Sequence, residues 1–168
     1  MIVGDRSYHR SMSAVTVTPA STPADIGEVR ALFEEYGASL DFSLCFQGFD
    51  EELAGLPGAY APPLGRLLLA RVDGAVAGCV ALRPLDDGVC EMKRLFVRPA
   101  FVGQGIGRRL AASIIEEGRA AGYQAMRLDT VPAMKAALAL YASLGFRDIA
   151  AYRENPIAGA RYLELTFG

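Results

Sequence analysis

Apolar and polar residues alternate along the first regular segment of the chain, AVTVTPA at residues 14–20. Strict alternation is typical of a strand with one buried face, so the pattern predicts a first strand there. Helix-start signals follow: Thr22 stands at a cap position, Pro23 in the first turn, and Asp25 three residues after the cap. The pattern therefore predicts that the strand leads directly into a first helix.

The middle of the chain contains an irregular segment and then three apolar runs. Residues 41–65 mix aromatic residues with Gly and Pro, which predicts only a short irregular helix around residues 49–56. The apolar runs that follow are RLLLARV, AVAGCVALRPL and VCEMKRLFVRP. The pair Asp73-Gly74, a strong hairpin signal, joins the first two runs, and DDG joins the last two. This spacing predicts three antiparallel strands in a meander.

Helical and strand patterns alternate in the last third of the chain. Between residues 104 and 121 apolar residues recur at helical spacing, and Gly122 is placed to end that helix. AMRLDTV predicts a short buried strand, residues 132–145 a second helix, and FRDIAAY and ARYLELTF two final strands. This order of elements predicts an α/β fold, in which one mixed sheet carries helices on both faces.

Length and charge narrow the classes of function. The 168 residues, 52% of them apolar, predict a single domain over residues 14–168 behind a flexible polar tail, residues 1–13. A net charge of −2 creates no broad positive field, so no nucleic-acid partner is expected. No apolar run approaches the roughly 20 residues of a membrane span, and the N-terminus lacks a signal-peptide core. We therefore expect a soluble, cytoplasmic protein with no membrane partner.

Histidine and cysteine usage argues against a metal site. The single histidine, His9, lies in the predicted tail, and the three cysteines form no CxxC pair. Cys79 and Cys90 lie in apolar runs and are predicted to be buried, reduced thiols. The sequence thus predicts neither a metal centre nor a histidine-based catalytic triad.

Gly103, Gly105 and Gly107 lie where the third meander strand passes into the following helix. A strand, a glycine turn and a helix bring free backbone N–H groups and the positive helix end together, and that place favours a phosphate. The alternative is a plain tight turn that needs positive φ, which accounts for one glycine better than for three. A dinucleotide fingerprint would need glycine where Arg108 stands, and no Walker motif is present.

The run LFVRPAFVGQGIGRRL, with LDTVPAMKAALALYASLGF further along the chain, resembles the acetyl-CoA-binding core of the GNAT family of N-acetyltransferases. The family's loop pattern is (Arg/Gln)-x-x-Gly-x-(Gly/Ala), and Gly105 and Gly107 match it. A second motif of the family, LYxxxGF, is present further along the chain at residues 140–146. The resemblance covers residues 67–152. It implies a GNAT-like fold whose central, mostly antiparallel sheet contains a splayed parallel strand pair.

By this resemblance acetyl-CoA is the cosubstrate. Backbone groups of the third meander strand would hold its pantetheine arm, and amides of the glycine loop its pyrophosphate. Two positions depart from the family pattern: Val102 replaces the usual Arg or Gln but keeps its amide, and Met134 stands where Asn is frequent. The cofactor-binding residues implied are Leu95, Phe96, Val97, Val102, Gly103, Gln104, Gly105, Ile106, Gly107, Arg108, Met134 and Tyr141.

The resemblance also implies catalytic roles, because in this family an amine attacks the thioester directly. Glu91 is the implied general base and Asp129 a weaker candidate of the same kind. The alternative for Glu91 is exposure to solvent or an ion pair with an arginine across the sheet. Tyr141 matches the tyrosine that protonates the departing thiolate, unless it is only a core residue, and the amide of Val97 would stabilise the oxyanion.

The acceptor site implied by the resemblance lies between residues 36–60 and 152–162, where Phe46, Phe49, Tyr152 and Asn155 are candidate substrate contacts. The acidic residues of these segments either bind a cationic substrate or form ordinary solvated surface; they are Asp41, Asp50, Glu51 and Glu154. The predicted activity is acetyl transfer to the primary amine of a small molecule in a ternary complex. The alternatives are a protein or peptide acceptor and a non-catalytic acyl-CoA-binding module, and the resemblance is compatible with a homodimer.

Overall fold

The computed structural model describes residues 14–168, except for the side chain of Phe46. The predicted tail, with His9, lies outside the described residues. The strands are β1 Val15–Pro19, β2 Arg66–Val72, β3 Ala75–Asp86, β4 Val89–Val97, β5 Ala125–Thr130, β6 Arg147–Ile149 and β7 Arg161–Thr166. The α-helices are α1 Pro23–Ser39, α2 Phe49–Ala54, α3 Ile106–Ala120 and α4 Lys135–Ser143.

The seven strands form one sheet in the order β1-β2-β3-β4-β5-β7-β6. All neighbours are antiparallel except β4 and β5, which run parallel. A parallel pair needs a crossover connection, and α3 supplies it. The predicted α/β fold, with its mostly antiparallel sheet and one parallel pair, is confirmed.

Local sequence signals account for the start of α1. The Thr22 hydroxyl accepts a hydrogen bond of 3.1 Å from the Asp25 amide, and the Asp25 carboxylate accepts one of 3.3 Å from the Thr22 amide. These two bonds form a capping box, which satisfies backbone donors that the first helical turn leaves free. Thr22 and Asp25 therefore act as the sequence predicted.

Helices cover both faces of the sheet because side chains on β2 alternate in direction. Leu67 and Leu69 pack against α1, whereas Leu68 and Ala70 belong to the core under α3. An apolar run without polar interruption is typical of a strand buried on both faces. Within residues 14–168 no helix has both the length and the apolar character that crossing a membrane requires.

Two elements are shorter than their sequence patterns predict. The strand predicted over residues 146–152 ends at Ile149, because the following residues turn toward β4, where Tyr152 donates a hydrogen bond to Glu91. The helix predicted from residue 132 begins at Lys135, after a turn in which the Met134 amide donates to the Val131 carbonyl. Both differences lie next to the cleft described below.

Candidate active site

Strands β4 and β5 pair over a short stretch and then part. Their pairing runs from Val89 to Glu91 on β4 and ends at Arg127 on β5. A β-bulge lies near the point where the two strands part. It is marked by the φ of 60° at Arg94 and by a shift in the register between β3 and β4. The gap between the diverging strands is a cavity of about 340 Å³.

This cleft is lined by β4, β5, the start of α4, and Tyr36 from α1. Alternate peptide groups of a strand point to opposite sides, so beyond the bulge every second group of β4 faces the gap. Such groups can bind a ligand that lies alongside the strand as an added strand would. Five of the predicted cofactor-binding residues line the cleft: Leu95, Phe96, Val97, Met134 and Tyr141.

The glycine loop lies at one end of this cleft. Gly103 and Gly105 have φ values of 90° and 76°, which residues with a side chain rarely adopt. Gly105 is the N-cap of α3 and has no side chain to satisfy the first-turn amides. The amides of Ile106 to Arg108 lack intrahelical acceptors, so the loop and the helix end together form a site for an anion.

Gly107 differs from the other two glycines, because it lies within the first turn of α3. A Cβ atom placed on it would lie 3.8 Å from Cγ2 of Val97, an ordinary van der Waals contact. Neither backbone conformation nor protein packing therefore requires glycine at position 107. The same distance shows that the loop adjoins the Val97 end of the cleft.

The side chains at the two ends of the predicted loop, Val102 and Arg108, differ in their surroundings. Val102 is 68% exposed, and its apolar side chain cannot donate the hydrogen bonds that Arg or Gln would donate at this position. The Arg108 guanidinium donates a hydrogen bond of 2.8 Å to Ser143 and so links α3 to α4. An anion at this loop would therefore be held mainly by main-chain amides.

Tyr141 lies on α4 and is 7% exposed, with its ring edge-on to Phe146 at a centroid distance of 5.7 Å. Burial raises the pKa of Tyr141 well above its ordinary value. The hydroxyl therefore stays protonated near neutral pH and can donate a hydrogen bond or a proton into the cleft.

Glu91 is completely buried and does not line the cleft. Its carboxylate accepts a hydrogen bond of 2.9 Å from Arg83 across the sheet, one of 2.7 Å from the Tyr152 hydroxyl, and another from Arg153. Burial acts to raise the pKa of Glu91, but the charges of Lys93, Arg153 and Arg83 outweigh it and hold that pKa below its ordinary value. These contacts correspond to the alternative of an ion pair across the sheet.

Lys93 and Gln47 belong to the cleft although the sequence motifs did not single them out. The Lys93 ammonium donates a hydrogen bond of 2.9 Å to the Gln47 side-chain oxygen, which also accepts one of 2.8 Å from Arg94. Burial, and then the charge of Arg94, lowers the pKa of Lys93 to about 8. The signal that could have found Lys93 is its spacing two residues after Glu91, which places both side chains on one face of β4.

The predicted acceptor residues have different locations. Asn155 lines a small recess beside the cleft and donates a hydrogen bond of 3.2 Å to Asp129, which lines both. Phe49 does not line the cleft, since its ring lies under the Arg94 guanidinium, and Tyr152 is bound to Glu91. The side chain of Phe46 is outside the described part of the structure.

The acidic side chains considered for a cationic substrate do not gather at the cleft. Asp41, Asp50, Glu51 and Glu154 are all exposed. The solvated-surface interpretation of these four residues is therefore the one that the structure supports.

The two buried cysteines are not activated as nucleophiles. Cys79 and Cys90 are fully buried, and burial raises the pKa of both thiols, so they remain protonated. Over residues 14–168 no three His, Cys, Asp or Glu side chains are grouped as metal ligands.

Residues 29–146, which include the parting strands, the glycine loop and Tyr141, match the family model described as the acetyltransferase (GNAT) family. The chain belongs to the GNAT family. It is an acetyl-CoA-dependent N-acetyltransferase, and the donors of the glycine loop and the open edge of β4 fit that cosubstrate.

Known proteins place this GNAT member among N-acetyltransferases. It is 38% identical over 155 residues to an uncharacterized N-acetyltransferase of Schizosaccharomyces pombe, covering 91% of this chain and 95% of that protein. It is 35% identical over 102 residues to the human N-acetylaspartate synthetase, covering 60% of this chain and 34% of that protein. An acetyltransferase structure from Salmonella typhimurium with acetyl-CoA superposes with a TM-score of 0.67 at 22% identity, covering 91% of this chain and 94% of that chain.

Proposed function

We propose that this GNAT enzyme transfers the acetyl group of acetyl-CoA to the primary amine of a small molecule by direct attack in a ternary complex. The observation that carries the proposal is the size of the cavity between the parting strands, about 340 Å³. A small recess beside it is lined by Phe42, Leu44 and Asn155 and shares Asp129 with the cleft. A peptide acceptor needs an extended groove, whereas a cavity of this size suits a small molecule.

The cofactor end of the cleft binds through main-chain groups. The amides from Gly103 to Arg108 would hold the pyrophosphate, and the open edge of β4 at Leu95 to Val97 would hold the pantetheine arm. Met134 lies where the arm would pass, so it contributes packing rather than a polar contact. Acetyl-CoA supplies an activated acyl group on a thiol that leaves readily.

The general base is better assigned to Asp129 than to Glu91. Asp129 lines the cleft, and its carboxylate accepts only the Asn155 amide among the described side-chain hydrogen bonds. Glu91 lies outside the lining, and two arginines and a tyrosine occupy its oxygens. In this proposal Asp129 accepts the proton of the attacking amine, directly or through water, and Glu91 positions Tyr152 and Arg153.

Two further groups act on the thioester. The amide of Val97, on the open edge of β4, would stabilise the negative charge that develops on the carbonyl oxygen. The protonated hydroxyl of Tyr141 would donate its proton to the departing thiolate. Burial of Tyr141 keeps that proton available at neutral pH.

The similarity to N-acetylaspartate synthetase supports the small-molecule reading, because that name describes an acetylated amino acid as the product. This relative shares only part of its length with the chain, so it supports the class of acceptor and no particular compound.

The test is an assay of purified protein with acetyl-CoA, a panel of small amines and a peptide library, followed by thiol release and mass spectrometry. We expect acetylated small amines, and Asp129→Asn should lower kcat about a hundredfold without changing acetyl-CoA affinity. Acetylation confined to peptides, or full activity in Asp129→Asn, would contradict the substrate class or the base, respectively.

A further inference from the structure

Lys93 is the starting point, because it is a buried cation whose ammonium forms no salt bridge within residues 14–168. It is 5% exposed. Its hydrogen-bond partner is the neutral side-chain oxygen of Gln47, at 2.9 Å. Burying an ammonium without an anion in contact is costly, so an anionic group of a ligand that reaches Lys93 would offset part of that cost.

Two carboxylates of the polar cluster around the cleft are held by arginines. Glu91 is bound by Arg83 and Arg153, and Glu52 forms a two-point contact with Arg94 at 2.9 and 3.0 Å. Neither is available to neutralise Lys93 fully. The polar cluster around the cleft thus contains four cations and three carboxylates, namely Arg83, Lys93, Arg94, Arg153, Glu52, Glu91 and Asp129.

The third carboxylate of this cluster lies on the opposite wall of the cleft. Lys93 is on β4 and Asp129 on β5, and both line the same cavity where the two strands diverge. They are not within salt-bridge distance of each other. A cationic group and an anionic group therefore face the acceptor space from its two sides.

We infer that the acceptor is an amino acid or a related amine with a carboxylate, whose carboxylate binds Lys93 while its amine faces Asp129. The inference rests on the proposed function and adds the substrate class. Lys93 acts here as a specificity residue. The transfer itself is the one proposed above: the N–C bond forms, the C–S bond breaks, and the proton of the amine goes to Asp129. An acceptor that lacks the carboxylate leaves the Lys93 ammonium buried with no anion in contact with it.

The experiment compares matched acceptors that differ only in this charge: aspartate and asparagine, glutamate and glutamine, glycine and glycinamide. For each pair, kcat/KM is measured for the wild-type enzyme and for Lys93→Met. We expect the wild type to prefer the acid in at least one pair, and Lys93→Met to reduce that preference about tenfold or more, chiefly through KM. Lys93→Arg keeps the positive charge and should retain part of the preference.

The matched control is Lys135→Met, since Lys135 is the other lysine of the chain and lies exposed at the rim of the same cleft. It should keep the wild-type acid preference. An equal loss of acid preference in both lysine variants would overturn the inference, because the preference would then come from the overall positive charge of the site and not from Lys93. A loss of kcat for both members of every pair in Lys93→Met alone would also overturn it, because that result makes Lys93 a proton acceptor.

The outcomes separate this inference from the proposed function. A wild-type enzyme that acetylates small amines without preferring acids overturns only the acceptor class. A wild-type enzyme that acetylates no small amine overturns the proposed function itself. Calorimetric titration of Lys93→Met with acetyl-CoA, which should show wild-type affinity, identifies a variant that has merely failed to fold.

Discussion

The Tyr152 hydroxyl donates a hydrogen bond of 2.7 Å to the Glu91 carboxylate, and this contact fastens the loop between β6 and β7 to the middle of β4. Arg153 of the same loop binds the same carboxylate. Asn155, two residues further along, reaches Asp129 in the cleft. Glu91 therefore holds in place the loop that, in the proposed function, forms the acceptor wall, although Glu91 does not line the cleft.

Replacing Glu91 with Gln should loosen this wall. The variant loses the charge that compensates Arg83 and Arg153, so we expect destabilisation of about 2 to 3 kcal/mol. The KM for the acceptor should rise more than kcat falls, and the pH profile of kcat should not shift. A collapse of kcat with loss of the acidic limb would instead mark Glu91 as the base.

The stability effect of Glu91→Gln should also depend on pH. Lys93, Arg153 and Arg83 outweigh burial and lower the pKa of Glu91 from 4.5, so its stabilising contribution is present above that value. The contribution is lost as pH falls through the lowered pKa. Thermal unfolding at several pH values should show that the difference in stability between the wild type and Glu91→Gln becomes smaller in acid. Tyr152→Phe, which removes one hydrogen bond to Glu91, should lower the free energy of unfolding by about 1 kcal/mol.

Gly105→Glu should abolish acetyl-CoA binding, because the substitution puts bulk and negative charge at the N-cap of α3. The matched control is Gly122→Glu at the other end of the helix, since both glycines have positive φ and open space around the Cβ position. Both variants carry the same backbone strain. If calorimetry finds that the two variants bind acetyl-CoA with equal affinity, the pyrophosphate does not bind at this loop.

Gly107→Ala separates stability from binding. Position 107 has helical conformation and room for a methyl group, so alanine should stabilise α3 by about 0.5 to 1 kcal/mol. If the cofactor approaches the first turn closely, acetyl-CoA affinity should nevertheless fall. A variant that is more stable and binds with unchanged affinity would show that the close approach lies elsewhere in the loop.

Tyr141→Phe should lower kcat about tenfold or more while the Kd for acetyl-CoA stays within about twofold. The hydroxyl is lost, but the ring still packs against Phe146. Tyr36→Phe tests the other tyrosine that lines the cleft. A larger loss of kcat in Tyr36→Phe than in Tyr141→Phe would transfer the donor role to Tyr36.

Acceptor binding should weaken in alkaline solution. Burial and then Arg94 lower the pKa of Lys93 to about 8, so the free enzyme loses this positive charge as pH rises through that value. Glu91 on β4 and Asp129 on β5 oppose the shift, while Arg83 on β3 adds to it. KM for an acid acceptor should therefore rise above pH 8 relative to its amide, and Lys93→Arg should remove that rise.

Much of the fold follows from local patterns. Alternation predicted β1, and apolar runs predicted the three strands of the meander. Thr22 and Asp25 predicted the start of α1, and Asp73-Gly74 predicted the hairpin that joins β2 to β3. Each signal works within a few residues, where side-chain spacing and hydrogen bonds to the adjacent backbone limit φ and ψ.

The residues of the site likewise fall into those with a local sequence signal and those that depend on distant partners. The glycine loop and the position of Tyr141 were found from the sequence, because each depends on a short motif carried by one element. The partners of Glu91 and Lys93 were not, since Arg153 and Gln47 lie 62 and 46 residues away along the chain. Contacts of that separation exist only after the loops have packed onto the sheet.

The sequence by itself determined the elements, their order and a glycine turn at the start of α3, since these need only local geometry. The parting of β4 and β5 was implied by the resemblance, and the tertiary structure decided that Lys93 and Asp129 line the gap between them. It also decided that Tyr152 and Arg153 bind Glu91, the candidate base. The physical reason is that a buried charge takes its role from whichever groups the fold brings beside it, and no spacing along the chain encodes that neighbourhood.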